Sequence, residues 1–428
     1  MPTMQLLDTK HNALNAIITK YRPDIKPYES IYKDLHATPE LSGQEKETCT
    51  LAAFHLRKHN FDEVHENIGG YGVAGVLRNG EGPTILIRAD MDALPLQEKT
   101  GLEYASDKVV KNKDGVSVPV MHACGHDTHV TAMLGAIELL SSARDSWKGT
   151  LVVIFQPSEE ELSGAQGMLD DGLYDKIPKP DVVLAQHVIR MKAGTVGIKP
   201  GRLLTATDAF EITIHGRGGH GSSPQSCIDP VVIGAAVIMR LQSIVSREVT
   251  PGELAILSCG CIQAGTVANV IPDTCVIKLS VRSYDPKTRE KLKSAIKRIV
   301  EAECAASGTE RKPDITHIIE APATVNDEEI TKRIISSFSS YFGARLVDTE
   351  PTTASEDFSL LARAVGAPYV MWLFGGVDEE IWERAVQSDK VDELPGNHSP
   401  FFAPVVQPTL GTAVDAMALG ALTFLGRK

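Results

Sequence analysis

The sequence lacks a basic excess. Its 428 residues carry 43 Lys and Arg against 55 Asp and Glu, a formal charge of −12. A surface of that sign argues against nucleic acid or an anionic membrane as the main partner. A disulfide framework is missing too, because the seven cysteines are odd in number and scattered along the chain. The opening residues, Met1 to Asp8, have neither the basic start nor the apolar run of a signal peptide. The longest apolar stretch, Ala413 to Leu425, is interrupted by Asp415 and is short for a bilayer span, so it reads as a closing core helix. Internal repeats, low-complexity tracts and long linkers are also absent. What remains is a globular chain, 43% hydrophobic and 23% charged, with the length of roughly two or three domains. The expected compartment is a reducing cytoplasm, where a cysteine is available as a thiolate.

What the chain does have is concentrated in one run, Met121-His122-Ala123-Cys124-Gly125-His126-Asp127-Thr128-His129. Packing seldom asks for thiol, imidazole, carboxylate and glycine at this density. Cys124 and His126, two apart on a glycine-interrupted turn, can both bind one borderline divalent metal. Other candidate ligands follow: the acidic run Glu159-Glu160-Glu161, His187 at the end of an apolar strand, and Asn397-His398-Ser399. These point to a metal-dependent hydrolase. On an extended backbone neighbouring side chains face opposite ways, so one of the acids 159 and 160 could bind metal while the other serves as general base. The bland reading of that run is a solvated loop cap. Asp90 and Asp92, after a buried strand, suit support of a ligand histidine through its far N–H, or simple turn capping.

The pattern along the chain places these residues. Residues 28–60 are helical with a break at Pro39 and Gly43. Short apolar strands at 83–88, 150–155 and 181–186 each run into a polar cluster, and a helix is expected from Thr128 to Ser141. In α/β sheets the carboxyl ends of strands are where sites are built. From about Ala206 the order becomes β-α-β-β-α-β, the ferredoxin-like plan, until about Pro322. That divides the chain into a discontinuous α/β domain, 1–205 with 323–428, and an inserted domain, 206–322. Gly216-Arg217-Gly218-Gly219-His220-Gly221 matches G-x-G-x-x-G formally, but Ser222-Ser223-Pro224 delays the helix that a dinucleotide site requires.

With these residues assembled, the chain resembles the M20 metallopeptidase family, in particular its amidohydrolase branch of hippurate, N-acyl-amino-acid and indoleacetyl-amino-acid hydrolases. The likeness is carried by Leu35 to Leu41, Arg88 to Pro95, Met121 to Asp127, Phe155 to Glu160, Gly218 to His220, Asn269 to Asp273, Ser355 to Phe358 and Asn397-His398. It implies a zinc-peptidase-like α/β catalytic domain with an inserted ferredoxin-like α+β lid and dimerisation domain. It further implies two divalent metal ions, Zn²⁺ or Mn²⁺ with Co²⁺ or Ni²⁺ as alternatives, held by Cys124, His126, Glu160, His187 and His398. Glu159 is then the general base and Asp90 and Asp92 support the ligands. His220 and Asn269 reach a substrate site, often that of the partner in a homodimer, where His220 stabilises the developing oxyanion, and Arg282 occupies the place of a lid arginine suited to a substrate carboxylate. The implied reaction is hydrolysis of the amide bond of an N-acyl amino acid. Two segments depart from the family pattern, Gly221-Ser222-Ser223 and Glu161-Leu162-Ser163, and both bear on the acyl pocket rather than the ligands. Two other function classes are open: a catalytically silent metal-binding relative, which should lack a base or ligand, and a nucleotide-dependent enzyme using the Gly216–Gly221 loop.

Overall fold

Strands that are apolar throughout, such as Ile85-Leu86-Ile87 and Val152-Val153-Ile154, need cover on both faces. In the computed structural model, which describes residues 2–425, they sit inside an eight-stranded sheet. Its centre pairs Gly149–Gln156, Thr84–Asp90, Val182–Lys192 and Tyr369–Val377 in parallel. Gly72–Asn79 and Glu63–Ile68 extend one side antiparallel. The helices His126–Ser142 and Val406–Leu425 pack on this sheet and on each other. Leu410, Val414, Leu419 and Leu422 of the second helix are fully buried, each worth roughly 1.5–3 kcal/mol on leaving water.

That last helix corrects one expectation. The run beginning at Ala413 is part of a 20-residue helix, long enough by length and composition to cross a membrane. Most of it is buried in the protein instead, and its Asp415 is held by Arg22 and Tyr341. The helix Pro230–Arg247 also passes the length test. A second correction concerns His187. The apolar run stops at Gln186, yet the strand continues to Lys192, because Tyr369–Val377 pairs alongside it from Tyr369↔Val183 through Leu373↔His187 to Val377↔Lys192. His187 therefore lies inside a strand and not at its end.

The chain forms two units: Met1–Leu203 with Val325–Glu350 and Asp357–Lys428, and Leu204–Thr324 with Pro351–Glu356. The second unit holds a four-stranded antiparallel sheet in the order Ala255–Gln263, Thr274–Ser283, Ala206–His215, Asp314–Ala321. Two helices, Pro230–Arg247 and Pro286–Ala306, pack together against it around Phe210, Ile212, Val237, Leu241, Ile277 and Ile296. This is the ferredoxin-like arrangement. Ala255–Gln263 forms one edge of the sheet. No helix opens at Gly221: Gly219-His220 pairs with Val270-Ile271, and the next long helix begins at Pro230 with Asp229 accepting from the Val231 N–H. The nucleotide alternative loses its structural basis there.

Candidate metal centre

The turn ahead of the helix His126–Ser142 explains its glycine. Gly125 has φ +85°, and a Cβ there would lie 2.4 Å from Val188 Cγ1. Only glycine lets the turn approach the neighbouring strand, which brings Cys124 Sγ to 3.5 Å from His187 Nε2. His126 Nε2 lies 3.7 Å from Glu159 Oε2 and 3.9 Å from Glu160 Oε1. His398 Nε2 lies 3.3 Å from Glu160 Oε2. The fold thus gathers Cys124, His126, Glu159, Glu160, His187 and His398 from four separate stretches of sequence. Asn397 ties the last of these down, donating to the carbonyls of Cys124 at 2.9 Å and Val188 at 3.0 Å. His398 itself adopts φ +68°, a conformation L-residues seldom take and one that recurs at binding sites.

Hydrogen bonds assign the imidazole nitrogens. His126 Nδ1 donates to the Asp92 carbonyl at 2.8 Å and His187 Nδ1 to the Val188 carbonyl at 2.7 Å. Both therefore turn an Nε2 lone pair inward. His126 Nε2 and Glu160 Oε1 are buried without a hydrogen-bond partner, which is the condition of donor atoms made for a cation. The electrostatics agree. Cys124 and Glu160 raise His398 to about 10. Burial opposes charge on His126, yet Asp90 and Cys124 push its pKa well up. The pocket favours positive charge. Burial and Glu160 push the Cys124 thiol up, so its thiolate needs a compensating cation, and binding metal should release a proton.

The supporting acids do more than the spacing indicated. Asp92 accepts from Ser42 Oγ at 2.6 Å and from the Glu160 N–H at 2.9 Å, and its Oδ1 lies 3.3 Å from His126 Nδ1. Asp90 serves a different histidine. Its Oδ1 accepts from His129 Nδ1 at 2.5 Å, and its Oδ2 from Arg88 at 2.6 Å. Arg88 in turn donates to Gln156, which donates to Asp357, forming a buried polar network. Burial works against the charge of both aspartates, but the neighbouring histidines hold each below the usual carboxylate range, with Arg88 assisting at Asp90.

His129 is the residue that spacing missed. It gathers with Asp90, His126 and His187 closely enough to pass for a ligand. Its Nε2 already accepts the Val188 N–H at 2.8 Å, so it has no lone pair left for a metal. It fixes the strand beside His187 instead. His36 was also unassigned. Fully buried, it bridges Asp127 at 2.6 Å and Glu98 at 3.1 Å behind the Cys124 turn.

The acids at 159 and 160 are not on extended backbone as expected. They lie in a turn from Glu159 to Leu162, entered at Ser158 with φ +50° and closed by Leu162 N–H to Glu159 O at 2.7 Å. Glu159 is 5% exposed, whereas Glu161 is exposed and pairs with Lys113 at 2.8 Å. In the second unit, His220 pairs with Val270 and the Gly221 N–H donates to Asn269 O at 2.8 Å, so His220 and Asn269 are neighbours. Both are exposed, and His220 Nδ1 is engaged by Ser222. Arg282 is half-buried and donates to Thr353 O and Ser355 Oγ, each at 2.8 Å.

Comparison with known proteins gives a consistent result. Residues 86–391 match Peptidase family M20/M25/M40. A hippurate hydrolase of Campylobacter jejuni is 39% identical over 80% of this chain and 86% of its own. An N-acetyl-L-cysteine deacetylase of Bacillus subtilis is 37% identical over 83% of this chain and 81% of its own. A Bacillus subtilis crystal structure, described as a dinuclear metal-binding peptidase of family M20, superposes with a TM-score of 0.72 at 29% identity. That match covers 94% of this chain and 99% of the other.

Proposed function

This chain belongs to Peptidase family M20/M25/M40, and on that premise we propose that it hydrolyses the amide bond of N-acyl amino acids. As a member of the family it is a metal-dependent amide hydrolase. The observation that carries the reading is the convergence of Glu160, His187 and His398 on the buried Cys124 and His126, with unpartnered donor atoms on His126 and Glu160. We assign these five as ligands of two divalent ions. A thiolate among imidazoles and carboxylates fits zinc, and the oxygen donors also admit manganese. When bound, such ions polarise a carbonyl oxygen and acidify a water.

The remaining steps belong to the chain's own residues. Glu159, buried at 5% exposure next to His126, takes the proton of the attacking water and returns it to the leaving amine. Asp92 holds His126 in the tautomer that presents Nε2. His220 is assigned to the developing oxyanion, and Asn269 and Arg282 to the substrate, on the motif resemblance. A homodimer through the second unit is the proposed assembly. Its support is the edge strand Ala255–Gln263 beside the exposed apolar residues Val232, Met239 and Ile262. The proposed compartment is cytoplasmic, in keeping with seven unpaired cysteines.

The test is an activity screen of N-acyl amino acids, N-benzoylglycine and N-acetylcysteine among them. Protein purified without chelator should release the free amino acid, chelated protein should not, and Zn²⁺ or Mn²⁺ should restore it. Release unaffected by chelation, or no release from any N-acyl amino acid by metal-loaded protein, would overturn the proposal.

A further inference from the structure

Glu45 has no exposed surface, yet it stands at the N-terminus of the surface helix Lys46–Lys58, where a carboxylate ordinarily caps its own helix. It makes no such cap. Glu40 does that work, accepting from the Glu47 N–H at 3.1 Å, the Thr48 N–H at 2.9 Å and Thr48 Oγ1 at 2.9 Å. Glu45 is thereby free to turn elsewhere. Its Oε1 accepts from the Gly43 N–H at 3.0 Å and from the Ser158 N–H at 2.8 Å, across 113 positions of sequence.

Ser158 is the residue with φ +50° immediately before Glu159. A non-glycine residue seldom adopts that conformation unless its surroundings hold it there. Its carbonyl accepts from the N–H groups of Ser163 at 3.2 Å and Gly164 at 3.1 Å, and its N–H is taken by Glu45. The other side of Glu159 is tied to the same loop. Ser42 donates to Asp92 Oδ2, the oxygen that receives the Glu160 N–H. The loop Leu41 to Glu45 therefore grips the acid turn one residue before and one residue after Glu159.

We propose that Glu45 is a positioning residue for the reaction: its side-chain oxygen fixes Ser158 in the left-handed conformation and so aims the Glu159 carboxylate into the site. The proposal rests on Glu159 being the general base. What matters is an acceptor at the right reach and not its charge. Burial and the nearby Asp92 raise Glu45 to about 7, so a neutral amide is a fair replacement.

The experiment compares Glu45→Gln, Glu45→Asp and Glu45→Ala with Glu159→Gln, all as metal-loaded full-length protein, reading kcat, KM and bound metal. Glu45→Gln keeps an acceptor oxygen at the same reach and should stay within about threefold of wild-type kcat. Glu45→Asp withdraws the oxygen by one methylene, and Glu45→Ala removes it. Both should lower kcat by about 10²-fold, the effect of an ångström-scale misplacement, with KM and metal content little changed. Glu45→Asp matching Glu45→Gln in kcat would overturn the proposal, and that contrast decides the matter even if Glu45→Ala does not fold. A fall in kcat that tracks loss of metal would also overturn it, placing the effect on the ligands. Should Glu159→Gln stay active, the base assignment itself is wrong. An inactive Glu159→Gln beside a flat Glu45 series removes only the positioning role.

Discussion

The candidate residues of the two units differ in how firmly they are held. In the first unit, Cys124, His126 and Glu159 are buried, and His126, Asp90, Asp92 and His129 each have a hydrogen-bond partner of fixed identity. In the second, His220 is exposed on a short two-stranded ribbon, Asn269 is exposed in the turn before it, and Arg282 donates to Thr353 and Ser355. On the roles proposed above, the difference separates metal binding and proton transfer from contact with the substrate. The groups proposed to hold a metal and move a proton are set before substrate arrives, by packing and by a surrounding layer of hydrogen bonds. The residues proposed to meet the substrate are less enclosed, His220 and Asn269 being exposed and Arg282 half-buried on the strand Thr274–Ser283.

The sharpest way to break that comparison is to remove proton transfer alone. Glu159→Gln should keep full metal content and lose at least ~10²-fold in kcat. Near-wild-type turnover would mean the buried site does not hold the base. In the second unit, His220→Ala should lower kcat by about 10- to 10²-fold with metal content intact, as loss of an oxyanion donor does. An unchanged kcat would return His220 to the role of a surface loop residue. Arg282→Ala should raise KM for substrates with a free carboxylate about tenfold and leave their ester or amide counterparts little affected. Equal effects on both would make Arg282 a tether for residues 351–356.

The smallest effect concerns stability behind the Cys124 turn. Burial opposes charge on His36, but Asp127 and Glu98 outweigh it and raise it to about 10. A histidine raised in the fold stabilises fully below its ordinary value near 6.5, and the contribution is lost as pH climbs from there through about 10. The melting temperature of the wild type should therefore fall across that window by more than that of His36→Gln. Parallel melting curves from pH 6 to 10 would show that His36 is neutral in the fold.

Much of this was legible from the chain, for physical reasons. Buried parallel strands are unbroken apolar runs, so Thr84–Asp90 and Gly149–Gln156 were located within about two residues. The amphipathic period and the Asp-Pro start placed Pro230–Arg247 similarly. The apolar run alone ends the strand at Gln186, because no local signal reports that Tyr369–Val377 continues the pairing past His187. The acid turn reads as extended in the sequence because its positive φ angles fall on Ser158 and Leu162 rather than on glycine. Glu45, His36 and His129 act through partners 39 to 113 positions away, and spacing carries no trace of such contacts.

The constellation around the buried Cys124 and His126, assembled before substrate binds, is what we propose holds the metal. Metal analysis of wild-type and Cys124→Ala protein, both purified without chelator, tests it most directly. Two divalent ions are expected per wild-type chain, with fewer in the variant and activity that falls with the metal. A Cys124→Ala protein with the wild-type complement of metal and full activity would contradict it and leave Cys124 a buried structural thiol.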